Sequence, residues 1–414
     1  MKTVAHTFIG HGLATGAGIK LILALVALLV IYRWTLSLHH DFKYRKLFTL
    51  FGQKTEKGHK LKIIKKSNGV FEILDCADDI TLSRLESEKE VLERHLHIKI
   101  SLIQEEKRGF GYWKKSVFII FGERKIKNYK YQPNQLPLNR GELFLGWDIS
   151  LSKNVIENTE TGAFSLKIAG SSGSGKTFLA FICLDSMVRA CKANQEGIEV
   201  IIADPKTSFQ WAKRKYGATI VNPTTPDGSK KLYGLLKEKY EEIINISEAL
   251  KAHDIHVEHI KDLTHEQCEL AGIIKPRKTV YIFEEFERYW SSEKVSKPTK
   301  DASELAKEQY EHYLNNDSAG ILANHLLGIG RAYNVVLIFS TQSGLISHIS
   351  YPAESNIQLF AFSKVSPEVS TRVFGNSRIA TSSNCKTGEF ILKSDKNGIR
   401  KIQIPKFILG GEDE

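Results

Sequence analysis

The 414-residue chain contains only five cysteines, Cys76, Cys183, Cys191, Cys268 and Cys385, and no CxxC pair. Such scatter excludes a disulfide scaffold and a cysteine-based zinc site, and it fits a reducing compartment. No internal repeat is visible. Net charge is also scarce outside the N-terminus. Residues 1–66 hold twelve Lys/Arg against Asp41 and Glu56, a local charge of +10 that leaves about +1 of the chain's +11 for the rest. The basic balance therefore does not advertise nucleic-acid binding by the larger part of the chain. Long apolar runs are equally rare. The unbroken one, Leu21 to Tyr32, lies within "IKLILALVALLVIYRW". It falls short of the ~20 residues that cross a bilayer, unless "FIGHGLATGAGI" extends it and Lys20 snorkels.

Tyr32 and Trp34 suit one interface, and the basic residues beyond them fit the positive-inside rule. The expectation is a single transmembrane helix in residues 1–35 of a cytoplasmic membrane, with the remainder in the cytoplasm. Residues 36–66 then form a basic juxtamembrane connector and 67–140 a small α+β domain. From about Leu61 to Phe121 the runs "LKIIKK", "GVFEIL" and "SVFIIF" read as strands around a helix, "LSRLESEKEVLERHL". "YQPNQLPLNRGELFLGWD" reads as a Pro/Gly-punctuated linker. Residues 141–410 alternate strands and helices, which implies parallel pairing with right-handed crossovers. The polar stretch 291–318 reads as an irregular excursion or lid.

"GSSGSGKT", Gly170 to Thr177, matches GxxxxGK[ST] between the strand "LKIA" and an apolar helix. Glycines in such a loop let successive N–H groups point at phosphate oxygens, and the helix N-terminus adds partial positive charge. The nucleotide-binding set is Gly170, Ser171, Ser172, Gly173, Ser174, Gly175, Lys176, Thr177 and Phe178. Lys176 is expected on the β- and γ-phosphates of ATP and the Thr177 hydroxyl on Mg²⁺. In "VYIFEEFERYW" an apolar strand delivers Glu284 and Glu285. A strand beside the phosphate strand is expected to end in a metal-associated acid, here Glu284, with Glu285 as general base. The metal pair is thus Thr177 and Glu284. The first acid is more usually Asp, and glutamate's extra methylene displaces the carboxylate by ~1.5 Å.

Further segments resemble the FtsK/HerA family of motor ATPases. These are the approach "ELFLGWDISLSKNVIENTETGAFSLKIAGSSGSGKT", the DPK of "VIIADPKTSF" (Asp204, Pro205, Lys206), "LLGIGRAYNVVLIFSTQ", "FSKVSPEVSTRVFG" and "KTGEFIL". The resemblance covers about residues 140–405. It implies a RecA-like α/β P-loop core with a mostly parallel sheet, ATP hydrolysis, and a homo-oligomeric ring, usually hexameric, with DNA in its channel. Gln342 is placed to sense the γ-phosphate or hold the lytic water. Arg331 and Arg372 are placed to reach a neighbour's nucleotide, or else to form surface salt bridges. Asp204 and Lys206 are expected to support the loop rather than perform chemistry. The chain stops soon after Phe407, so the family's C-terminal winged-helix module is not expected.

Two other features are open. His253, His256, His259 and His265 share one face if their segment is helical, which admits a metal site but fits a solvated helix better. Trp211, Tyr289 and Trp290 are candidates for stacking bases or for core packing. The preferred reading is a membrane-anchored DNA translocase, a coupling ATPase for conjugative or mobile-element transfer that meets transfer-apparatus proteins. A protein-secretion ATPase, a viral or episomal packaging motor, and a nucleotide-regulated membrane scaffold are the alternatives.

Overall fold

Runs of β-branched and aromatic residues bounded by Gly, Asn and Asp build two separate sheets. The computed structural model describes residues 62–67, 70–74, 81–108, 115–123, 139, 141–151, 153–159, 165–290, 295–330, 332–342, 355–394 and 398–405. The anchor expected in residues 1–35 lies outside them. Among the described residues no helix is long and apolar enough to cross a membrane. The chain divides into two units, Met1–Glu123 and Arg124–Glu414.

The first unit contains strands β1 (Lys62–Ser67), β2 (Val70–Leu74), β3 (Ile100–Arg108) and β4 (Lys115–Gly122). They form an antiparallel sheet in the order β1-β2-β4-β3. Helices α1 (Leu82–Ser87) and α2 (Lys89–Leu96) join β2 to β3, and Leu85, Leu92 and Leu96 pack with Phe71, Ile73, Ile103, Phe118 and Ile120. The run "LKIIKK", read as a strand, is β1 and pairs with β2, so the first sheet begins within the residues given to the connector. Sequence reading also drew one helix over 82–96, which breaks at Glu88. The strand β3 went unread because its acidic second half hides the alternation.

The second unit holds ten strands: β5 (Glu142–Asp148), β6 (Lys153–Asn158), β7 (Ser165–Gly170), β8 (Ile198–Ala203), β9 (Thr219–Val221), β10 (Lys278–Phe283), β11 (Val335–Thr341), β12 (Leu359–Ser363), β13 (Glu389–Ser394) and β14 (Gly398–Gln403). Their order is β6-β5-β14-β13-β12-β7-β11-β10-β8-β9. From β12 to β9 every neighbouring pair is parallel, while β13, β14, β5 and β6 extend the edge antiparallel. The expected mostly parallel α/β core is present. The end of the expected linker, Glu142–Asp148, is instead a strand, because "ELFLGWD" supplies buried apolar positions for the sheet.

Helices cover both faces, as parallel sheets require. Alternation along β10 sends Val280 and Ile282 toward α3 (Lys176–Ala193), and Tyr281 and Phe283 toward α5 (Pro226–Ala252) and α7 (Glu304–Ile329). Buried on the sheet, α3 is apolar nearly all round. The start of α7 corrects the expected lid: residues 304–318 are helical, capped by the Ser303 hydroxyl, which accepts from the Ala306 N–H. Only Asn316, Ala319, Ala323, Leu326 and Leu327 are buried on α7. Its first three turns therefore carry no apolar stripe to betray them. The remaining helices are α4 (Gln210–Tyr216), α6 (His265–Leu270) and α8 (Pro367–Phe374).

Candidate nucleotide site

The tip of β7 turns through Ser171–Gly175 into α3. Gly173 and Gly175 adopt positive φ of 73° and 105°, a region that glycine enters without a Cβ penalty. Gly170 is needed for a different reason. A Cβ there would stand 2.2 Å from the Ser363 carbonyl oxygen of neighbouring β12. Gly170→Ala should therefore destabilise the fold by about 1–3 kcal/mol, the usual range for overpacking. Thermal denaturation checks it. Ser171, Ser172 and Gly173 are exposed at the rim, whereas Ser174 is buried with its hydroxyl lacking a described partner.

Lys176, only 6% exposed, folds back so that Nζ donates to the carbonyls of Gly170 at 2.8 Å and Ser171 at 3.3 Å. An ammonium has three donors, so one remains for a phosphate oxygen. Burial pushes the Lys176 pKa down, against the pull of Glu284, Glu285 and Glu287. Phe178, in the first turn of α3, packs partly buried against the core.

The Thr177 hydroxyl donates to Glu284 Oε1 at 2.8 Å. The acid-bearing strand β10 is not the neighbour of β7 expected from sequence, since β11 lies between them. Two strand spacings amount to roughly 9.6 Å. The gap is closed from both sides, by Thr177 at the start of α3 and by the glutamate side chain from β10. The departure from Asp thus leaves the carboxylate within reach of Thr177. Glu284 is 2% exposed, and its Oε2 is buried with no hydrogen-bond partner. Burial raises its pKa, opposed chiefly by the Thr177 hydroxyl. A raised carboxyl means that this group's stabilising contribution is lost as pH rises through the folded-state pKa. A hard cation beside Oε2 would offset that cost. A hydroxyl, a buried carboxylate and an orphaned carboxylate oxygen are the donors Mg²⁺ prefers, so the residues fit it.

Glu285 is 3% exposed and left-handed, φ 44° and ψ 51°, which is unusual outside glycine and common at functional sites. Its Oε1 accepts from Gln342 Nε2 at 2.5 Å and from Lys206 Nζ. Arg288 Nε stands 2.6 Å from Oε2 as an ion pair whose angles are not those of a hydrogen bond. Burial alone would raise the Glu285 pKa, but Lys206, Gln342 and Arg288 outweigh it and hold the carboxyl below its usual range. Gln342 ends β11, between the two key strands, and its backbone N–H donates to Glu287 Oε1 at 2.6 Å.

Asp204 is buried and accepts from the N–H groups of Lys206 at 3.0 Å and Phe209 at 2.8 Å, fixing the turn that carries Lys206. Glu287 and Arg288 are participants that sequence reading did not single out. The Gly388 N–H donates to the Ser174 carbonyl at 2.9 Å, so the β13 turn braces the phosphate loop. Only the crowding of acids in "FEEFER" hinted at Glu287, while Gly388 stands in the family-like segment "KTGEFIL".

Arg372 is exposed in the last turn of α8, and Arg331 lies outside the described residues. Trp211 packs edge-on against Phe181, with centroids 4.3 Å apart. Tyr289 and Trp290 are buried among Phe283, Phe286 and Phe339. These aromatics are packing residues, not bases' stacking partners. The histidine segment is not one helix, because α5 ends at Ala252, and no metal-holding group of His, Cys, Asp or Glu exists among the described residues.

No protein-family model and no curated protein matches the chain. Among solved structures it is similar to the pCW3 conjugation coupling protein TcpA, in a monomer form with ATPγS. That match has TM-score 0.57 and 16% identity, and covers 89% of this chain and 95% of that one. EssC (ATPases 2 and 3) from Geobacillus thermodenitrificans matches with TM-score 0.47 and 13% identity over 70% of this chain and 49% of its own. EccC (ATPases 2 and 3) from Thermomonospora curvata, in complex with a signal sequence peptide, matches with TM-score 0.44 and 14% identity over 68% and 44%. The FtsK/HerA-like motifs thus sit on a P-loop ATPase fold, shared with TcpA over nearly the whole of both chains.

Proposed function

We propose that the chain is an ATP-driven DNA translocase, anchored in the cytoplasmic membrane by residues 1–35 and serving as a coupling ATPase for conjugative or mobile-element transfer. The observation that carries the enzymatic half is the 2.8 Å contact between Thr177 and Glu284, which joins phosphate loop and strand acid in one pocket. The fold shared with TcpA, described as a conjugation coupling protein, supports the choice of polymer.

Bound ATP·Mg²⁺ supplies a phosphoanhydride whose cleavage releases the energy for movement. Thr177 and Glu284 are the residues that would hold the metal. Lys176 offers its remaining N–H to a phosphate oxygen. Gln342 orients Glu285, and Glu285 takes a proton from water at its carboxylate. Arg372 and Arg331 are assigned to a neighbour's nucleotide across a homo-oligomeric, hexameric ring, where a fixed positive charge stabilises developing negative charge. The basic connector holds the ring near the membrane and near transfer-apparatus proteins.

DNA contacts to the phosphate backbone release counterions, so stimulation of ATP turnover should fall steeply with salt. With about six phosphate contacts, raising salt from 50 to 200 mM should weaken half-maximal stimulation by ~10³-fold. A turnover assay titrated with duplex and single-stranded DNA reads this directly. Stimulation absent at low salt contradicts the choice of polymer.

A further inference from the structure

Glu285 is assigned here as the base, yet both of its oxygens face cations. Lys206 and Gln342 share Oε1, and Arg288 stands beside Oε2. A carboxylate held so is a weak acceptor, because its charge is neutralised and its lone pairs are engaged. The two cations differ from their partner in exposure. Glu285 is buried, but the side chains of Lys206 and Arg288 are 34% and 47% exposed. They reach from solvent into the site.

Lys206 also begins a distinctive stretch. From Lys206 to Tyr216 the chain carries Lys206, Lys213, Arg214 and Lys215 and no acid. Lys213, Arg214 and Lys215 are exposed on α4. Lys215 is partly committed to Asp185, 3.6 Å away. In a unit of 38 Lys/Arg against 34 Asp/Glu, this is a concentrated basic strip. It is wired to the base through one side chain.

We infer that Lys206 is a latch on Glu285, released when a nucleic-acid phosphodiester backbone binds along the Lys206–Lys215 strip. The inference rests on the translocase reading and gives it a route by which polymer binding starts hydrolysis. Lys206 leaves Glu285 Oε1 for a phosphate oxygen, and Arg288 follows where a second phosphate lies within reach. Glu285 Oε1 then regains a free lone pair for the water, while Gln342 keeps the carboxylate in place. Without polymer the latch closes and ATP is spared. Lys206 is thus a positioning residue that acts through Glu285.

The test uses the full chain and a 30-base-pair duplex as probe, with Lys206→Gln, Lys206→Arg and the pair Lys213→Glu/Arg214→Glu. Lys206→Gln should raise turnover without DNA by about tenfold, the scale of one charge-assisted contact removed. Its stimulation by DNA should shrink toward none. Lys206→Arg should preserve stimulation. The paired variant should bind the duplex more weakly by fluorescence anisotropy and need more of it for half-stimulation. Lower turnover in Lys206→Gln, with an unchanged stimulation ratio, overturns the latch. Turnover by the unsubstituted chain that ignores DNA contradicts the translocase reading itself. Normal stimulation of that chain together with equal stimulation of Lys206→Gln contradicts only the latch.

Discussion

Glu285→Gln should reduce ATP turnover by roughly 10²–10⁴-fold, the usual contribution of a positioned general base. Nucleotide affinity should be unchanged, because Glu285 touches Lys206, Gln342 and Arg288 rather than the phosphate loop. The amide is close in shape to the carboxylate but cannot accept a proton at neutral pH. A pH profile adds a second check. The Glu285 carboxyl is held below its usual range, so its ionised, active form persists as pH falls and is lost only through that lowered pKa. Glu285 should therefore not set the acid limb of the profile, which falls instead to Glu284, whose carboxyl burial raises. Retained turnover in the Gln variant moves the base elsewhere.

Lys176→Met should weaken nucleotide binding by about 10- to 100-fold, the loss of one hydrogen bond to a charged group. It should also abolish measurable hydrolysis. The fold should survive, for two opposing reasons. The Gly170 and Ser171 carbonyls lose their donor, while a buried ammonium whose charge is disfavoured there is removed. These effects are comparable, so stability should shift by no more than ~1 kcal/mol. Calorimetric titration with ATPγS and a thermal melt separate lost binding from lost folding. A variant that binds as tightly as the parent would mean that Lys176 stays with its carbonyls throughout.

The phosphate site was legible because its chemistry is local. Glycines, lysine and threonine of "GSSGSGKT" stand in one stretch between a strand and a helix, and eight consecutive letters specify the loop. The meeting of Thr177 with Glu284, 107 positions away, was legible only as an expectation. Spacing shows that each follows a strand, Thr177 across the phosphate loop and Glu284 directly, not that the strands lie two places apart with β11 between. The cations around Glu285 were less visible still. Lys206 follows β8 and Arg288 follows β10, and no periodicity links them. The same limit explains the fold errors. Glu304–Asp317 is helical but buries only Asn316, and Glu142–Asp148 is a strand hidden behind a proline-rich approach. Packing partners supplied from distant sequence decided both.

The account stands on the convergence of loop and acid at one metal–phosphate pocket. The direct test is ATPγS affinity, measured with and without Mg²⁺, for the parent chain and Glu284→Ala. The account predicts that Mg²⁺ tightens binding to the parent and adds little to the variant, with metal-free affinity similar in both. An undiminished Mg²⁺ effect in Glu284→Ala would contradict it.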